Sequence, residues 1–225
     1  MEPHLPLGQP RQEVTAPIDT LILPPRLFGS IYYYALLAAG GAAAKVWIDM
    51  PFDKRQKTAH RYSIVDTRDT LSLTVPIIHP HGGKRPWSDI EISAHGEWWL
   101  QHLTALESAY GRTPYFEFYI DRFTPLYRNP QLDGCGALGG LIMASNAILA
   151  DILCIKPPQY VADADYTAVK TDSEIALSCR DVAYWQVRAD RLGFRPGLSI
   201  LDLIFNMGPE SIFVLESMVS ATPQP

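Results

Sequence analysis

The sequence predicts an α/β or α+β fold, a single domain with a mixed β-sheet from the N-terminal half and several packed helices, mostly in the C-terminal half. Three observations lead there. Short β-branched or alternating apolar runs crowd residues 20 to 95, and helical apolar spacing prevails afterwards. A chain of 225 residues, 47% of them hydrophobic, can also bury one sizeable core.

Residues 1 to 17 carry four prolines and no hydrophobic period, so an N-terminal arm is expected there, with one domain over residues 18–219 and a tail at 220–225. TLIL, Thr20 to Leu23, reads as a strand stopped by Pro24 and Pro25. RLFGSIYYYALLAA then runs at helical spacing through Leu27, Ile31, Tyr34 and Leu37. KVWIDM, LSLTVPII and DIEIS are further candidate strands. From His95 to Tyr110 the pattern turns helical, with Trp99, His102, Leu103, Leu106 and Tyr110 on one face. A helix from about Leu138 to Ile155 follows, then a polar connector, a short strand or two near Ala168 to Leu177, and two closing helices.

The last stretch, LSILDLIFNMGPES, carries its own punctuation. Ser199 followed by Asp202 matches the start signal in which a hydroxyl caps the helix and an acid three residues on bonds back. Gly208 would end the helix, and Pro209 would open the next one. Ser199, Asp202 and Asn206 fall within about 60° of one another on the helical wheel, opposite Ile200, Leu201, Ile204 and Phe205. That polar stripe faces either water or a pocket.

The balance of charge, −5 overall, disfavours nonspecific attraction to DNA or to an anionic membrane, so any anion site must be local. Lys54, Arg55, Lys57, His60 and Arg61 supply such a density within FDKRQKTAHR, the alternative being a solvated loop. His102 lies one turn beyond Trp98 and Trp99, where its imidazole would be shielded: either a core residue or a base of movable pKa. Arg112 sits at the helix exit, where it could face a ligand.

No metal and no cofactor are expected. Cys135, Cys154 and Cys179 form no CxxC pair, and His79 and His81 lack a close Cys or carboxylate partner. DGCGALGG, Asp133 to Gly140, lacks the ending of a phosphate loop. The run from Cys135 to Ala150 is short for a span of about 20 residues, and the N-terminus has prolines and charges where a signal peptide needs an apolar core, so no transmembrane segment and a cytoplasmic location are expected.

ILPPRLFGSIYYYALL, FDKRQKTAHRYSI, LSLTVP, WWLQHLTALESAYGRTPYFEFY and LSILDLIFNMGPES, in this order and spacing, resemble the WbqC-like family of bacterial proteins over roughly Thr20 to Leu215. That family's Lys-Gln-x-x-x-Asn-Arg pattern stands here as Arg55, Gln56, His60 and Arg61. The resemblance implies a place in O-antigen or other surface-polysaccharide biosynthesis. It also implies a transferase moving a glycyl or other aminoacyl group to an amino sugar, with a nucleotide-linked sugar as the small-molecule partner. In that enzyme His102 would be the base, Asp202 its orienter or an amine anchor, and Asn206 an oxyanion or sugar contact. Lys54, Arg55, Gln56, Lys57, His60, Arg61 and Arg112 would bind substrate or phosphate. The competing reading is a non-catalytic nucleotide-sugar-binding or scaffold subunit.

Overall fold

The structure, a computed structural model, describes residues 21–80, 85–130 and 136–219; the expected arm, the tail, His81 and the start of DGCGALGG lie outside them. Helices and strands mix as expected, with the helices mostly in the C-terminal half. The strands are shared between two sheets. In the first, β1 (Leu21–Leu23) and β2 (Ala44–Trp47) run parallel, with Leu21 opposite Ala44 and Leu23 opposite Val46. The second is an antiparallel hairpin, β3 (Arg61–Val65) and β4 (Thr70–Thr74), registered from Arg61 opposite Thr74 to Val65 opposite Thr70.

α1 (Ile31–Gly40) makes the crossover between β1 and β2. It begins later than the apolar spacing predicts, because Phe28 turns through a φ of 46° and Ser30 caps the helix by accepting from the Tyr33 amide. Phe28 is buried against Tyr62, Phe123 and Tyr127. That aromatic packing holds a side chain in a conformation that costs energy without glycine.

DIEIS does not form a strand: it makes only single bridges, Ile92 to Ile77 and Glu91 to Ala137. The segment from His95 to Glu97 is a 3-10 turn with Gly96 and Glu97 at positive φ, after which α2 (Trp98–Tyr110) begins. α3 (Phe116–Phe123) and α4 (Leu138–Ile152) follow; α4 stops short of the expected Ile155, and Cys154, at a φ of 53°, turns the chain away from it.

The polar connector contains β5 (Gln159–Val161), which joins the free edge of β2 in parallel and completes the order β1-β2-β5. The strand expected near Ala168 to Leu177 shrinks to one parallel bridge, Val169 to Ile22. The rest is α5 (Asp172–Leu177), started by a reciprocal box in which Thr171 accepts from the Glu174 amide and Glu174 accepts from the Thr171 amide.

α6 (Ala189–Leu192), α7 (Ile200–Met207) and α8 (Ser211–Val219) close the chain. α1 packs on α8, while α7 threads the interior between α1, α2, α3 and β3, with Ile200, Leu201, Leu203, Ile204 and Phe205 fully buried. No helix among the described residues is long and apolar enough to cross a membrane.

Gly208 lets α7 end inside the protein. Its φ is +56°, its N–H donates to the Ile204 carbonyl, and a Cβ there would meet ring carbons of Tyr115 at 2.4–2.6 Å. Gly208→Ala is expected to lower stability by roughly 2 kcal/mol or more, through backbone strain and displacement of Tyr115. Urea unfolding measures this, and an unchanged midpoint would contradict the packing described.

Candidate functional site

The stripe on α7 faces inward. Ser199, Asp202 and Asn206 are 2%, 1% and 3% exposed. Ser199 Oγ donates to the Phe28 carbonyl at 2.9 Å and accepts from the Leu201 amide at 3.3 Å. The Asp202 carboxylate does not bond back to the Ser199 amide, which donates to the Ser63 carbonyl at 2.8 Å. The carboxylate instead accepts from Tyr110 Oη at 2.8 Å, Tyr184 Oη at 2.6 Å and Gln186 Nε2 at 3.0 Å. Burial raises the pKa of Asp202, and these three donors oppose the rise. Asn206 donates to the Asp202 carbonyl at 2.7 Å and accepts from the Val187 amide at 3.0 Å. A hollow of about 10 Å³ beside Val65, Tyr110 and Gly193 reaches Asp202, room for about one water.

His102 is 3% exposed and belongs to a different network. Its Nδ1 lies 3.1 Å from Tyr62 Oη, which is 2.9 Å from Tyr127 Oη, and the rings of Trp98, Tyr62 and Tyr127 stand edge-on around it. Burial lowers its pKa to about 4, with a hydrogen bond to the Thr74 carbonyl pulling the other way. The ring is therefore neutral at pH 7, accepting from Tyr62 and donating to Thr74. β3 separates this network from that of Asp202: Tyr62 serves the first, and the Val65 amide donates to Tyr110 Oη, at 3.3 Å, in the second.

The basic segment divides in two. Lys54, Arg55 and Lys57 are exposed, and Arg55 folds back onto Asp53 at 2.7 Å, holding that carboxyl down at about 2. His60 donates from Nδ1 to the Val75 carbonyl at 2.7 Å beside Trp87, and burial lowers its pKa. Gln56, Thr58 and Arg61 instead line two clefts. Arg112 is exposed on the turn after α2, away from the residues that line those clefts.

The clefts lie beyond the carboxyl ends of β1, β2 and the Val169 bridge, where open parallel sheets place their ligand sites. The first, about 280 Å³, opens between the start of α1, the start of β3 and α5, lined by Tyr32, Tyr62, Arg61, Ser63 and Ile175 among others. The second, about 220 Å³, is lined by Met50, Gln56, Tyr166, Val169 and Lys170. Arg26, Asp172 and their ion pair are the shared wall. Arg26 Nε and Nη2 both donate to Asp172 Oδ1, at 3.1 and 2.6 Å, Arg26 Nη1 donates to the Pro25 carbonyl at 3.0 Å, and Thr58 Oγ1 donates to Asp172 Oδ2 at 3.0 Å. Among the described lining residues, three cations, Arg26, Arg61 and Lys170, meet one carboxylate, Asp172.

Sequence reasoning reaches Gln56 and Arg61 but misses Arg26, Tyr32, Thr58, Lys170 and Asp172. A signal for Arg26 and Tyr32 does exist: they flank the turn from a parallel strand into its crossover helix. Among the described residues no group of three or more His, Cys, Asp and Glu side chains is placed to hold a metal ion.

Two measurements check the roles of the buried groups. Asp202→Asn would set an amide N–H against one of the three donors and is expected to cost about 2–4 kcal/mol in urea unfolding. For His102, the folded pKa of about 4 lies below the ordinary imidazole value of 6.5, so the unfolded chain takes up the proton first. The protein should lose about 2 kcal/mol of stability from this group between pH 7 and pH 5. His102→Gln should remove that part of the slope and leave the opposite contribution of Asp202 in place.

No curated protein and no solved structure matches the chain. The model of the WbqC-like protein family matches residues 31–184, which takes in α1, the hairpin, α2 to α5, and the cleft residues Tyr32, Gln56, Thr58, Arg61, Lys170 and Asp172. With well over half of its length so matched, the chain belongs to the WbqC-like protein family.

Proposed function

We propose that the chain, acting in the cytoplasm as one domain over residues 18–219, binds a nucleotide-linked amino sugar in the paired clefts during surface-polysaccharide assembly. The observation that carries this is the excess of cations lining the clefts of an acidic protein, placed beyond the carboxyl ends of parallel strands. The aromatic walls, Tyr32 and Tyr62 in one cleft and Tyr166 in the other, offer apolar faces for a base or a sugar ring beside those charges. The family's Lys-Gln-x-x-x-Asn-Arg pattern supports the same place: Gln56 and Arg61, the two positions kept, line the clefts, whereas Arg55 and His60, the two changed, bond to Asp53 and Val75.

The chemistry that fits this ligand and family is transfer of an aminoacyl group, glycyl in the simplest case, to the sugar's amine from an acyl adenylate or thioester, whose AMP or thiolate departs as the amide C–N bond forms. The attacking amine must lose a proton, and Asp172 is the carboxylate in the clefts able to take it. A second reading, a nucleotide-sugar-binding subunit without turnover, is favoured by a specific observation: His102 and Asp202 sit outside both clefts with their polar atoms bonded within the protein.

Isothermal titration with UDP-glucosamine and related nucleotide sugars that carry a free amine tests the binding. Arg61→Ala and Lys170→Ala are each expected to weaken it about tenfold, and Lys54→Ala and Arg112→Ala to leave it unchanged. Absence of saturable binding across the series would sink the proposal. Mass spectrometry of the sugar after incubation with activated glycine separates the two readings, since acylation lost in Asp172→Asn and kept in His102→Gln identifies the transferase.

A further inference from the structure

Arg26 and Asp172 are unequal partners. The Arg26 side chain is 6% exposed and is anchored through Nη1 to the Pro25 carbonyl, directly after two residues whose rings restrict the backbone. The Asp172 side chain is 56% exposed and stands in the wall between the two clefts. The cap of α5 does not use this carboxylate, because Thr171 and Glu174 form it. The cation is buried and the anion is the exposed partner of the pair.

The edge of Arg26 formed by Nε and Nη2 is the one that grips an oxyanion through two parallel bonds. Here both donors converge on a single oxygen, Asp172 Oδ1, while Oδ2 is held by Thr58. Two further cations line the clefts on either side of that wall, Arg61 in the first, where its Nε donates to Thr74 Oγ1 at 2.8 Å, and Lys170 in the second. An anion carrying one charge on two oxygens serves Arg26 alone. An anion with several charges, laid across the wall, would meet all three.

Resting on the binding proposed above, we infer that Asp172 occupies the place of the ligand's diphosphate in the free protein, and that the diphosphate enters by displacing the Asp172 carboxylate from Arg26. Displacement joins the two clefts over the guanidinium, with a phosphoryl group on Arg26 and its neighbour toward Arg61 or Lys170. Asp172, released, stands beside the ligand instead of under it. The subsite so described is selective for diphosphates over carboxylates, because a carboxylate offers no more to Arg26 than Asp172 already does.

Titration calorimetry with inorganic pyrophosphate, UDP and malonate, on the full chain and on Asp172→Asn and Thr58→Ala, tests this. Asp172→Asn keeps an acceptor for Arg26 but removes the competing charge, and is expected to tighten pyrophosphate and UDP binding about tenfold or more. Thr58→Ala leaves every charge in place and only loosens the carboxylate; it should tighten the same ligands severalfold, so the inference is testable even where Asp172→Asn folds poorly. Malonate, a dicarboxylate, is expected to bind the native chain more weakly than pyrophosphate. If the native chain binds UDP while both variants bind it equally well or less well, Asp172 contacts the ligand rather than standing in for it; the displacement is overturned and the binding proposal survives. If neither the native chain nor the variants bind UDP or amino-sugar nucleotides, both fall.

Discussion

The fold depends on a carboxylate that never meets solvent. Asp202, on the first turn of α7, receives hydrogen bonds from Tyr110 at the end of α2 and from Tyr184 and Gln186 in the irregular segment before α6. Tyr110 extends the tie by accepting from the Val65 amide, so the far end of β3 is fastened to the same point. An isolated carboxylate in such a place would be prohibitively costly, and with three donors around it the cost is offset and the geometry is set. Asn206, one turn on, repeats the device by catching the Val187 amide and the Asp202 carbonyl. A segment with little regular structure of its own is thereby held against the most buried helix.

The two carboxylates of interest thus do opposite work. Asp202 is surrounded by neutral donors in the interior and organises the backbone around it. Asp172 faces a buried guanidinium at a wall open on both sides, where an ion pair can be exchanged for another. His102 stands with the first kind. Its neutral ring ties α2 to Tyr62 and the Thr74 carbonyl, in the hairpin whose start lines the cleft. The polar residues of the core fix where the cleft walls stand, and the cleft's own polar residues come from loops and from the first residues of elements, Arg61 and Ser63 of β3, Asp172 of α5 and Tyr32 of α1.

How much of this the sequence shows can be argued residue by residue. The cap at Ser199, the stop at Gly208 and the succession of β1, α1 and β2 rest on local chemistry and are legible, although the parallel pairing of the two strands is not. The box Thr171-x-x-Glu174 is written in the same code, and reading β-branched residues there as a strand overlooks it. β5 is three residues long inside a polar connector, and its partner lies over a hundred residues away, so no local pattern announces it. Helical spacing places Asp202 and Asn206 on one face but says nothing of what that face meets; the answer, Tyr184, Gln186 and Val187, lies in a stretch without periodicity. The basic segment is visible as charge. Which of its members turn inward is decided by the 3-10 turn at Lys57–Ala59, and that turn brings Thr58 and Arg61, but neither Lys54 nor Arg55, to the clefts.

Pro24 and Pro25 stop β1, but their carbonyls have a second use. Lacking N–H groups, these residues cannot extend the sheet, and their oxygens accept instead from side chains: Pro24 from Tyr33 Oη at 3.0 Å and Pro25 from Arg26 Nη1 at 3.0 Å. The unfolded chain has few conformations to lose at these two positions. Arg26 consequently stands oriented before any ligand arrives. A long side chain that must be frozen on binding typically forfeits about 0.5–1.5 kcal/mol of affinity. The cost of ordering this arginine falls on folding, so an incoming anion meets a cation whose rotational entropy is already gone.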